Sequence, residues 1–91
     1  MDTVVERAKK YESLLAEAVD VATVVTDPAE AASGEEVLSM AQSYLTDGRY
    51  FLEENDPSRA LAAFSYGHGW LDAGARLGVV DVPVDGDLFA I

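Results

Sequence analysis

Three stretches of this chain repeat apolar residues at alternating spacings of four and three, the seam of helices packed side by side at a shallow angle. In the first stretch the seam is Val4, Ala8, Tyr11, Leu15, Ala18, Ala22 and Val25. Thr3-Val4-Val5-Glu6 opens it with a capping-box pattern, and Asp27-Pro28 closes it because proline disfavours helical geometry in the residue before it. A helix is predicted over about 3–26. Ser33 and Glu36 form a second capping box, so 29–34 reads as a connector and a second helix runs over about 34–54. Its seam is Val37, Ala41, Tyr44, Gly48 and Phe51, flanked by Leu38, Leu45 and Leu52. Asn55-Asp56-Pro57 ends that helix and opens a third over about 57–77, with Asp56 as N-cap and Pro57 in the first turn.

The connection between the second and third helices is so short that the two must run antiparallel. The third carries Ala60, Phe64, Gly67, Leu71, Gly74 and Gly78 on its seam, and Gly78 is placed to stop it. Residues 79–91 form an extended tail, with Val80, Val82 and Val84 alternating with polar residues or proline and an apolar ending at Leu88, Phe89 and Ile91. An ending so apolar is expected to fold back on the bundle or onto a second copy. The chain therefore reads as an all-α, up-down-up antiparallel three-helix bundle with an extended C-terminal tail, one domain over 1–91.

Composition narrows the setting. There is no cysteine, which removes disulfides and thiolate chemistry and suits a reducing compartment. Charged residues interrupt the first apolar ones within two turns, so no signal peptide is expected, and no apolar run nears the roughly 20 residues of a membrane span. A cytoplasmic location is the expectation. Seventeen acidic residues against six basic ones give a net charge of -11, which argues against nucleic acid as a partner. With two lysines, one isoleucine and one asparagine among abundant Ala, Val, Gly and Asp, that charge reads better as adaptation to salt. In molar salt charges are screened beyond about 3 Å, so net charge then says little about partners.

Gly48, Gly67, Gly69 and Gly74 all fall inside predicted helices, where each costs about 1 kcal/mol relative to alanine. Three lie on a seam and read as packing positions. Gly69 does not, because two residues past Gly67 is a turn of about 200°, onto the opposite face. Ala62, Ser65, Tyr66, Asp72, Ala73 and Arg76 share that outward side, a small-sided surface that suggests close approach by the tail, a second copy or a ligand.

The lone histidine, His68, has Asp72 one turn on, the beginning of a base or a metal site. Zinc needs further ligands, and Asp47 is the sole candidate from another helix, so no metal and no cofactor is expected. Tyr11, Tyr44 and Tyr66, with Trp70 and His68, can line a groove, although aromatics at helical spacing are more often core, and core is the expectation. No phosphate-cradling loop or nucleophile elbow is present. Helical ribonucleases with four to six residues between an arginine and a histidine are not matched by Arg59 and His68, which have eight residues between them.

The run from Tyr44 to Gly78 resembles an archaeal family designated domain of unknown function 357. Its pattern matches Tyr44, Asp47, Tyr50-Phe51, Asn55-Asp56 and the segment Ser65-Tyr66-Gly67-His68-Gly69-Trp70-Leu71-Asp72-Ala73, departing at Gly67, where the family usually has alanine. The resemblance implies a three-helix bundle and an archaeal source, in keeping with the salt-adapted composition, and it implies no activity. Two functions are compatible with these residues. The first, which the sequence favours, is a non-enzymatic protein-interaction or self-association module, with a protein partner or a homo-oligomer. The second is a small-molecule-binding or RNA-processing protein using His68, Asp72 and Tyr66 in a cleft near Arg49. Ser65, Tyr66, His68, Gly69, Asp72, Arg76, Asp47 and Arg49 are the candidate surface residues.

Overall fold

The computed structural model describes residues 3–83 and 88–89. Three helices, α1 (Val4–Val21), α2 (Pro28–Glu53) and α3 (Pro57–Arg76), form an all-α bundle closed at one end by two short strands, β1 (Thr23–Val24) and β2 (Val80–Asp81). α3 is the central helix. It packs along both α1 and α2, whereas those two meet over a shorter stretch.

Helix ends follow the capping chemistry in most places. The Thr3 hydroxyl accepts from the Glu6 amide at 3.1 Å and donates to the Glu6 carboxylate at 3.3 Å, which satisfies one of the orphan donors of the first turn. α2 ends with Asn55 at φ 61°, and the amides of Asn55 and Asp56 donate to Leu52 O and Phe51 O, the Schellman arrangement. Asp56 then caps α3 by accepting from the Arg59 amide at 3.2 Å. Gly78, at φ 78°, repeats the device after α3, with Val79 N–H donating to Gly74 O and Gly78 N–H to Ala75 O. Both stops stand where the sequence places them.

The junction between α1 and α2 departs from expectation. α1 ends at Val21, with Ala22 already extended at ψ 137°, instead of continuing to about residue 26. The run Val21-Ala22-Thr23-Val24-Val25 is rich in β-branched side chains, which are stiff in a helix and suited to strands. Here they find a partner: Thr23 and Val24 pair antiparallel with Asp81 and Val80, and Val25 N–H donates to Val79 O at 3.3 Å. α2 begins at Pro28, not near residue 34, because Asp27 accepts from the Ala29 amide at 2.9 Å and Pro28 takes the first helical position. Ser33 is thus inside a helix and caps nothing.

That shift puts Gly34 in the interior of α2, where a Cβ would collide with the Val79 carbonyl oxygen and stand 2.9 Å from Val24 Cγ1. The missing side chain lets the β1–β2 end of the bundle settle on α2. A second close approach lies at Gly48, where a Cβ would stand 2.5 Å from Cδ1 of Phe64. Phe64, Leu15 and Leu71 are the largest fully buried side chains, and most of the remaining core is alanine and valine: Ala8, Ala18, Ala41, Ala60, Val37, Val79 and Val80. No polar or charged side chain is buried among the described residues. The tail, read from sequence as extended over 79–91, packs inward where it is described, with Val79 and Val80 buried and Leu88 and Phe89 resting against the core. Val84 to Asp87, Ala90 and Ile91 lie outside the described residues.

Candidate interaction surface

α3 buries Ala60, Ala63, Phe64, Gly67, Leu71 and Gly74, which leaves the opposite side of the helix outward. On that side Ala62, Tyr66, Gly69, Trp70, Ala73 and Leu77 fall within an arc of about 100° and repeat the four-and-three spacing of a packing seam. Every one of them is exposed: Tyr66 is 64% accessible, Trp70 38% and Leu77 76%. Two hollows interrupt the face. One is lined by Tyr44, Asp47, Phe51, Arg59, Ala62 and Tyr66, the other by Ser65, Tyr66, Gly69, Trp70 and Ala73, with the Tyr66 ring as the ridge between them. Tyr66 is held from behind by Tyr44, whose ring centroid is 5.8 Å away.

Tyr11, Tyr44, Tyr66, Trp70 and His68, expected in the core, are not buried: Tyr11, Tyr66 and Trp70 are exposed, and Tyr44 and His68 are half-buried. The core is too thin to hold them. With alanine or glycine at Ala8, Ala18, Ala41, Gly48, Ala60, Gly67 and Gly74 the helices approach closely, and the single fully buried aromatic, Phe64, takes the space that Gly48 vacates.

Charge is distributed as sharply as size. α3 contains one acidic residue, Asp72, of the seventeen in the chain, and two basic ones, Arg59 and Arg76. The exposed seam itself carries none. On a chain whose other surfaces bristle with carboxylates, an apolar seam with Asp47 of α2 as the one acid in its hollows is the place where solvent is least favoured.

Gly69 sits at the middle of this face, and a Cβ there would meet nothing within 4 Å among the described residues. Packing among the described residues therefore gives no reason for a glycine. Gly69→Ala should stabilise the isolated chain by about 0.5–1 kcal/mol, since alanine is the better helix former and nothing obstructs it. A thermal melt by circular dichroism, run dilute enough for the chain to be monomeric, checks this, and destabilisation there would mean that another part of the same chain already covers Gly69.

The other candidate residues divide between two places. Ser65, His68, Gly69 and Asp72 line a groove of about 400 Å³ together with Tyr11 and Leu14 of α1 and Leu88 of the tail. The Nε2 of His68 faces the carbonyl oxygen of Leu88, which can only accept, so Nε2 carries the proton and donates. The Phe89 ring lies 5.9 Å from the imidazole, and His68 thus holds the tail against α3. Asp47 lines the hollow beside Tyr44, away from His68, and the described residues contain no group of three His, Cys, Asp or Glu arranged to hold a metal ion. Arg49 lines none of these grooves: its Nε donates to Glu12 at 2.9 Å and ties α2 to α1. Arg76 is exposed in the last turn of α3, where a cation suits the helix dipole. Leu77 completes the seam and escaped the sequence reading, which placed Ala62 on the outward side and noted that the residues there were small but not that they kept seam spacing.

No helix among the described residues is long and apolar enough to cross a membrane. Neither the curated proteins nor the solved structures contain a match to this chain. A family model described as protein of unknown function, DUF357, matches residues 10–80, from the middle of α1 through all of α2 and α3 to the first residue of β2, and the chain therefore belongs to that family.

Proposed function

We propose that this chain is a non-enzymatic protein-interaction module whose working surface is the outward face of α3. The observation that carries the reading is the second, exposed seam on that helix: Tyr66, Trp70 and Leu77 standing out beside Ala62, Gly69 and Ala73, with no carboxylate among them. Large aromatics beside small residues are what helix-in-groove recognition uses, and aromatic anchors supply most of the energy of such contacts. The composition and the family resemblance suggest an archaeal, salt-rich cytoplasm as its setting, and there an apolar contact has an advantage because it does not weaken with ionic strength.

A small-molecule reading of the His68–Asp72 groove has one observation in its favour, a volume of about 400 Å³. Against it, Nε2 of the histidine already donates to the Leu88 carbonyl, so that nitrogen is not offered to a guest.

Site-specific photo-crosslinking in the source cells tests the proposal. A photoreactive phenylalanine at Tyr66 should give a discrete adduct, and the same group at Ser43, exposed on α2, should give none. Equal labelling at the two positions, or no adduct at Tyr66, would sink the reading.

A further inference from the structure

We infer that the partner on this face is a second copy of the chain, with two α3 helices packed antiparallel about a two-fold axis between Gly69 and Trp70. The inference rests on the reading of the α3 face as a protein-binding surface and gives that surface its occupant. Its support is a match of sizes. In an antiparallel pair one register sets Tyr66 against Ala73, Trp70 against Gly69, and Leu77 against Ala62, so each large exposed side chain of one copy meets a small one of the other. The hollows lie at the positions this requires: Gly69 and Ala73 floor one of them, and Ala62 lies in the other.

Other arrangements lose the match. Sliding the pair by a turn in one direction sets Tyr66 against Trp70, and in the other direction against Leu77, large on large. A parallel pair puts every residue near its own kind, leaving Gly69 facing Gly69 and Tyr66 facing Tyr66. Only the antiparallel register is self-complementary, and a two-fold contact must be so. Charge permits it. Two chains of net charge -11 can approach along a seam whose own six residues carry no acid, and Asp47 of α2, which lines the Ala62 hollow, shares that hollow with Arg59. The bare Gly69 then has a role, as the socket for the chain's single tryptophan.

The test uses the purified full chain in about 1 M KCl, where the Debye length is roughly 3 Å and repulsion between copies is screened. Light scattering should give twice the chain mass, and Ala73→Glu, at an exposed position, should weaken self-association by at least about tenfold while leaving the circular dichroism spectrum unchanged. Because the chain lacks cysteine, single cysteines report geometry directly. Ala62→Cys and Leu77→Cys should form a disulfide when mixed and oxidised, and neither should do so alone. Self-crosslinking of each variant alone would indicate a parallel pair and overturn the inference, as would a monomeric mass for the unsubstituted chain. In the second case a Tyr66 adduct with a different protein in cells would keep the interaction reading and reject only the second copy, whereas no Tyr66 adduct would remove both.

Discussion

Phe64→Ala should cost about 3–5 kcal/mol, a large part of the roughly 5–15 kcal/mol available to a domain of this kind. Phe64 is fully buried, and its ring occupies the space that a side chain on residue 48 would otherwise take. Removing the ring leaves a cavity whose far wall is the bare backbone of Gly48, which no neighbouring side chain can refill. The converse change, Gly48→Ala, should cost about 1–3 kcal/mol by forcing the ring out of place. Combining Gly48→Ala with Phe64→Leu should then cost less than the two single changes added together, the sign of direct coupling. Urea unfolding followed by circular dichroism measures all four variants. A loss below about 1 kcal/mol for Phe64→Ala would contradict full burial of the ring.

A chain ending at Gly78 is expected to be at the edge of unfolding. It lacks Val79 and Val80, which are 6% and 2% exposed, and burial of each valine contributes about 1.5–3 kcal/mol. It also lacks the backbone partners of Thr23, Val24 and Val25 and exposes the bare surface of Gly34. A chain ending at Pro83 keeps all of these and loses Leu88, Phe89 and the His68 contact, a milder change. Thermal melts of the two truncations should therefore separate widely. Coincident melts would show that the strand pair contributes nothing to stability.

Much of the bundle was legible in sequence because its signals are local. Thr3, Asp56 and Gly78 act at helix ends through bonds to residues within a few positions, and the seam of α3 depends on spacing alone, as do Ala8, Leu15 and Ala18 of α1, whereas Val4 and Tyr11 on the predicted α1 seam are exposed. The α1–α2 junction was not legible, since Asp27-Pro28 is equally the end of one helix and the start of another. What decides between them is the distant segment around Val80, whose pairing with Val24 draws Ala22 to Val25 out of the helix. The exposed seam on α3 was half visible. Gly69 was conspicuous because its face is opposite Gly67, but Tyr66 and Trp70 pass for core residues until the narrowness of the core is known.

The two-residue ladder between β1 and β2 joins segments separated by the whole of α2 and α3, whereas the α2–α3 hairpin is built from neighbours in sequence. Contacts between distant segments carry the largest loop-closure entropy and form late. The hairpin is then expected to condense first, with the ladder fastening an assembly already largely in place. Interactions that are absent from the transition state govern how fast a native chain opens and not how fast it forms. The ladder is accordingly a brake on unfolding, and the lifetime of the native molecule can be tuned at Thr23, Val24, Val80 and Asp81 without altering the speed with which the bundle assembles.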